Sequence, residues 1–315
     1  MGTAAVRYRP GMEMHPDPNT AAATAREQRY LDGYFRVADG LRLHYRDYPG
    51  SSERPPLLCL PGLTRNSRDF AALAERYSPR FRVLALEFRG RAGSDYDPEP
   101  MRYNPVTYAG DVIQFLHGLG IPQAIFVGTS LGGLVTMAIA KMAPERIAAA
   151  ILNDIGPELS NEGLERIRGY LGRDPRFGSW DEVGELLARN HNHVPARYTH
   201  EDWVRMAHRV CREENGEIRF DYDMAIVKPF ETSGATPTID MWPLFDALAQ
   251  KPLLVVRGEI SDLLSADGAA KMQGVAPNTT IAVVPGVGHA PDLDEPEAVA
   301  AIDAFLESLA DRQSR

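Results

Sequence analysis

The chain has 315 residues, a formal charge of −9 and two cysteines. That length suits one large domain or a domain carrying an insertion, and the absence of any long basic run argues against nucleic acid as a partner. Cys59 and Cys211 lack C-x-x-C neighbours, so no disulfide framework or cysteine-rich metal site is expected, which fits a reducing cytoplasm.

Residues 1–28 read as a loose N-terminal arm. They hold Arg7, Arg9, Pro10, Pro16 and Pro18 and lack the apolar stretch of a secretory signal. Further on, no run approaches the ~18 apolar residues of a membrane helix. Gly33 to Val37 and Leu41 to Tyr48 are expected as strands joined at Asp39-Gly40, a hairpin-favouring pair. Leu57 to Leu60 is a short continuous apolar run, the pattern of a strand covered on both faces, and it stops at Pro61-Gly62. A helix follows over Ser67 to Tyr77, capped by Asn66 or Ser67. Val83 to Leu86 is a second buried strand. Val106 to Leu119 is a helix closed by Gly120 and Pro122.

Ala124 to Gly128 is an apolar strand running into Gly128-Thr129-Ser130-Leu131-Gly132. The Ala-rich helix after it, through Met142, ends before Pro144. Ala148 to Asn153 is another buried strand. Alternating apolar strands and helices imply a mostly parallel sheet with helices on both faces, assigned here to residues 29–155 and 241–315. That rhythm breaks over residues 156–240, which read as a mainly helical lid lying over the sheet. It returns at Leu253 to Arg257, with a helix near Ala266 to Val275, a last strand over Thr280 to Val284 and a final helix over Pro296 to Leu309.

The Gly-x-Ser-x-Gly turn carries the chemistry. Glycines at 128 and 132 let strand and helix approach closely, which pushes Ser130 outward under a helix N-terminus. A serine nucleophile needs a base, and the base needs an orienting acid. His289 follows the last strand in Gly286-Val287-Gly288-His289. Asp262 follows the preceding strand, so Ser130, Asp262 and His289 all fall at the carboxyl edge of the sheet, where ligands bind in parallel sheets. Asp154 ends the Ala148–Asn153 strand at that same edge and is the alternative acid; if it is not the acid, it is a residue of the pocket floor. The backbone N–H groups of Leu131 and Leu63 are the expected oxyanion donors.

On Gly128-Thr129-Ser130-Leu131-Gly132-Gly133, Asp262, Gly288-His289, Arg89-Gly90 and Ser94-Asp95, the chain resembles the α/β-hydrolase superfamily, and within it the lidded esterases, lactonases and carbon–carbon bond hydrolases. The resemblance spans roughly residues 33–309. It implies an eight-stranded sheet, Ser130 as nucleophile, His289 as base and Asp262 as its partner. Pro61-Gly62 stands where the group often has His-Gly, and Ala92 where Gly is common. Haloalkane dehalogenases and epoxide hydrolases of this fold carry Asp in place of Ser130, so the serine points to acyl transfer. The expectation is a cofactor-free hydrolase of a small ester or lactone, a monomer or homodimer. Cleavage of a diketone-type carbon–carbon bond by the same residues, and a single-turnover ligand receptor, are the alternatives.

Further pocket residues are expected in Arg65, Trp180 and Trp203, with Tyr222 and Trp242 as additional aromatics. The alternative for each aromatic is packing within the lid. His191-Asn192-His193 lacks a third ligand at metal-binding spacing and reads as solvated lid polarity.

Overall fold

The computed structural model describes residues 29–191, 197–232 and 240–313. The 1–28 arm, and with it that expectation, lies outside them. Ten strands and ten helices occur among the described residues. In chain order they are β1 (Leu31–Arg36), β2 (Arg42–Tyr48), β3 (Leu57–Leu60), α1 (Ala71–Tyr77), β4 (Val83–Leu86), α2 (Pro105–Gly118), β5 (Ala124–Thr129), α3 (Leu131–Met142) and β6 (Ile147–Asn153). Then follow α4 (Asn161–Tyr170), α5 (Trp180–Asn190), α6 (His200–Val210), β7 (Cys211–Glu214), β8 (Glu217–Phe220), α7 (Lys228–Thr232) and α8 (Trp242–Leu248). The chain closes with β9 (Leu253–Gly258), α9 (Ala266–Val275), β10 (Thr280–Val284) and α10 (Pro296–Gln313).

Eight strands form one sheet in the order β1-β2-β4-β3-β5-β6-β9-β10. β2 runs antiparallel to both its neighbours, β1 and β4, and the remaining pairs are parallel. The α/β fold with an eight-stranded, mostly parallel sheet is therefore as the sequence implies. The central strands β3, β4 and β9 are buried at every position, which is why they read as continuous apolar runs rather than alternating ones. Two apolar layers cover the two faces: one includes Phe126, Val135 and Phe245, the other Val127, Ile151 and Ile302.

The segment over the sheet contains α4, α5 and α6 and a separate antiparallel pair, β7 with β8. The pair turns at Asn215-Gly216, both at positive φ (54° and 78°). Asn-Gly is the strongest short hairpin signal in a sequence. Here it is flanked by Cys-Arg-Glu-Glu and Glu-Ile-Arg-Phe, too charged to stand out as strands. α5 and α6 pack on one another around Val183, Leu187, Trp203 and Met206, giving this region an apolar core of its own.

Candidate active site

The site begins at the turn between β5 and α3. Ser130 sits at φ 51°, ψ −114°, a strained conformation for a residue with a side chain. The strain holds because the two flanking glycines admit backbone where a Cβ would collide. A Cβ on Gly128 would lie 2.6 Å from the Gly132 carbonyl oxygen, and one on Gly132 would run into the Leu60 carbonyl. The Ser130 N–H is tied to the Asn153 carbonyl at 3.0 Å. The side chain is thereby thrust out at the start of α3, whose first N–H groups have no acceptor within the helix.

His289, on the loop after β10, brings Nε2 to 3.0 Å from Ser130 Oγ. Its other ring nitrogen, Nδ1, lies 2.8 Å from Asp154 Oδ2. Asp154 is fully buried at the end of β6 and, at φ 56°, turns its carboxylate back over the edge of the sheet. Two further donors hold that carboxylate: the Gly258 N–H at 2.9 Å and the Ser261 hydroxyl at 2.5 Å. The histidine loop is anchored beside them, because the Asn153 side-chain amide donates to the Pro291 carbonyl at 2.8 Å.

The expected partnership of Asp262 with His289 is therefore corrected. Asp262 is turned to α4, where Arg166 donates from Nε and Nη2 to its two oxygens at 2.5 and 2.8 Å. Burial works to raise the Asp262 carboxyl, but the Arg166 hydrogen bonds and charge overcome it and hold it below the ordinary carboxylate range. Of the two acids at the sheet edge, the one without a cation partner faces the histidine.

A cavity of about 730 Å³ opens above Ser130 and His289. Gly62, Leu63 and Arg65 line it, bringing the loop after β3 beside the serine. A Cβ on Gly62 would lie 3.8 Å from that of Ser130. Arg91, fully buried, donates from Nε to the Leu63 carbonyl at 3.0 Å and so sets the orientation of this loop. Leu131, the first residue of α3, is 7% exposed. Arg65 is closed into an ion pair with Asp69 at 2.6 Å.

The aromatic residues divide. Tyr170, Phe220 and Tyr222 line the cavity. Trp180 and Trp203 do not, which corrects their placement as pocket residues. Trp180 stacks on His208 with ring centroids 3.8 Å apart, and Trp203 is buried in the α5–α6 core. Trp242 packs edge-on against Phe245 and donates to Glu158. Asn66 caps the turn before α1 and reaches the Arg209 carbonyl, away from the cavity. His191 bonds the Leu187 carbonyl, while Asn192 and His193 lie outside the described residues. No group of three metal-ligating side chains occurs among the described residues, and no helix there is long and apolar enough to cross a membrane.

An eight-stranded, mostly parallel sheet, a strained serine between its fifth strand and the next helix, and a histidine on the loop after its last strand together define a hydrolase. The chain belongs to the alpha/beta hydrolase family, whose model matches residues 57–302. It is similar to an alpha/beta hydrolase from Novosphingobium aromaticivorans of known crystal structure, at 52% identity and a TM-score of 0.84, covering 89% of this chain and 98% of that one. It is 30% identical over 273 residues to the 3-hydroxybutyrate-oligomer hydrolase of Cupriavidus necator, covering 84% of this chain and 92% of the relative. A 2-(acetamidomethylene)succinate hydrolase from Mesorhizobium japonicum is 30% identical over 262 residues, covering 81% and 88%.

Proposed function

We propose that this chain is a serine hydrolase that cleaves a small carboxylic ester or lactone through an acyl-enzyme on Ser130. The observation that carries the reading is the continuous chain of hydrogen bonds from Ser130 Oγ through His289 to Asp154. His289 Nε2 takes the hydroxyl proton as Oγ attacks the acyl carbon, and Asp154 holds the ring tautomer and stabilises the imidazolium. The N–H groups of Leu63 and Leu131 receive the oxyanion, each donor being worth about a hundred- to a thousand-fold in rate. The imidazolium then protonates the leaving alcohol. Water attacks the acyl-enzyme with His289 again as base, releasing the acid and restoring Ser130.

The similarity to a 3-hydroxybutyrate-oligomer hydrolase supports ester chemistry. The names of this relative and of the succinate hydrolase each contain the name of a carboxylate, 3-hydroxybutyrate and succinate. The test is turnover of 4-nitrophenyl acetate by wild type and by Ser130→Ala. The substitution is expected to lower kcat by at least about a thousand-fold while the thermal midpoint stays put. Equal activity in the two proteins would overturn the reading.

A further inference from the structure

The charges on the cavity wall are paired off with one exception in arrangement and one in partner. Arg65 is held by Asp69, Asp292 by Arg209 at 2.8 Å, and Asp174 by Arg176 at 2.9 Å. Arg166 differs in what its pairing leaves over. Asp262 grips one edge of the guanidinium, Nε and Nη2, from behind. A guanidinium has five N–H groups, so three remain, including the parallel pair on the Nη1–Nη2 edge that matches a carboxylate. Arg166 lines the cavity with Ser130, its side chain is 22% exposed, and Nη1 makes no hydrogen bond among the described residues. Arg173, seven residues on, lines the same cavity and is exposed. It makes no ion pair or hydrogen bond among the described residues.

We propose that Arg166, braced by Asp262, forms with Arg173 a subsite for a carboxylate, so that the substrate is an ester whose non-reacting end is a free acid. The inference rests on the ester-hydrolase reading above. A cation held from behind presents its free edge in a set direction, and ordering it on binding loses little side-chain freedom. Asp262 also cancels the Arg166 charge as seen from the His289 imidazolium, so an arginine near the catalytic groups does not oppose proton transfer. Arg173 is the exposed partner and adds attraction of the same sign.

The probe is the 3-hydroxybutyrate dimer, used once with its carboxylate free and once as the primary amide. Binding of both is measured by calorimetry on Ser130→Ala protein, where no turnover occurs. The free acid is expected to bind at least about tenfold more tightly than the amide, the gain of a charge-assisted bidentate contact. Adding Arg166→Gln is expected to lower that ratio about tenfold and Arg173→Gln to lower it by less. Asp262→Asn is expected to lower it by releasing the guanidinium. A merely structural role would weaken both ligands alike and leave the ratio unmoved. Equal binding of acid and amide, or a preference that survives both arginine substitutions, overturns the subsite. Loss of Ser130-dependent turnover of 4-nitrophenyl acetate would instead overturn the ester reading.

Discussion

The carboxyl edge of the sheet and the segment above it hold their polar groups in different ways. At the edge, a backbone group takes part in most ties that position Ser130, His289 and Asp154: the Asn153 carbonyl on the Ser130 N–H, the Gly258 N–H on the Asp154 carboxylate and the Pro291 carbonyl on the Asn153 side-chain amide. Above it, backbone bonds to the sheet domain, such as the Ala92 N–H to the Asp221 carbonyl and the Gly163 N–H to the Asp262 carbonyl, are joined by long charged side chains: Arg166 to Asp262, Arg68 to Asp221 and Arg209 to Asp292. Backbone contacts survive most substitutions, and side-chain pairs vanish with one. The proposed chemistry thus sits among ties that each involve the main chain, and the proposed substrate contact beside ion pairs that one substitution removes.

The largest test of that contrast exchanges the two acids. Asp154→Asn is expected to lower kcat on 4-nitrophenyl acetate by about a thousand- to ten-thousand-fold, because the amide presents the wrong partner to His289 Nδ1. Asp262→Asn is expected to cost under about tenfold on the same ester, its effect falling instead on acid-over-amide preference. A larger loss at Asp262 than at Asp154 would return the orienting role to Asp262.

A middle-sized effect is expected on the sheet side, at His44. It is buried, with Nε2 2.9 Å from Asp32 and Nδ1 2.9 Å from Glu87, the latter out of line for a hydrogen bond. Burial opposes its charge, yet the Glu87 charge and the Asp32 hydrogen bond raise it to about 9. Glu87, despite full burial, is lowered to about 2 by the same imidazolium. Breaking such a pair is expected to destabilise the fold by about 3 kcal/mol. Because the folded-state value of His44 is raised, its contribution is complete below the ordinary value of about 6.5. It is lost as pH rises through about 9. In urea unfolding, the gap between wild type and His44→Gln should therefore narrow across that interval. A gap that widened there would show that His44 is not held charged.

The smallest effect is expected from Trp180→Phe. Its ring lies against His208 rather than in the cavity, so kcat/KM should stay within about twofold, as for a surface substitution away from the site. A tenfold change in KM would put the α5–α6 face back among the substrate contacts.

Ser130 and His289 were legible because each is marked by its neighbours: glycines that permit a close approach, and a position directly after an apolar strand. The choice between Asp154 and Asp262 was not, since both follow strands at one edge. What separates them is remote. Ser261 and Gly258 are more than a hundred residues from Asp154, and Arg166 is 96 residues from Asp262. Asn153 carried no signal either, because a polar residue ending a strand reads as solvated until the loop it holds is seen. Trp180 and Trp203 misled for a related reason. An aromatic in an insertion can face the sheet or its own helices, and only the packing of α5 on α6 decides. The Asn215-Gly216 turn, by contrast, was readable, and the charged residues around it hid it.

The contact between Gly132 and the Leu60 carbonyl has a further consequence. It acts as a ruler. The loop that leaves β3 toward Leu63 and the helix that begins at Leu131 are separated by a gap that cannot admit even a methyl group. The spacing between that loop and the start of the helix, where the two proposed oxyanion donors lie, is therefore closed to gradual adjustment.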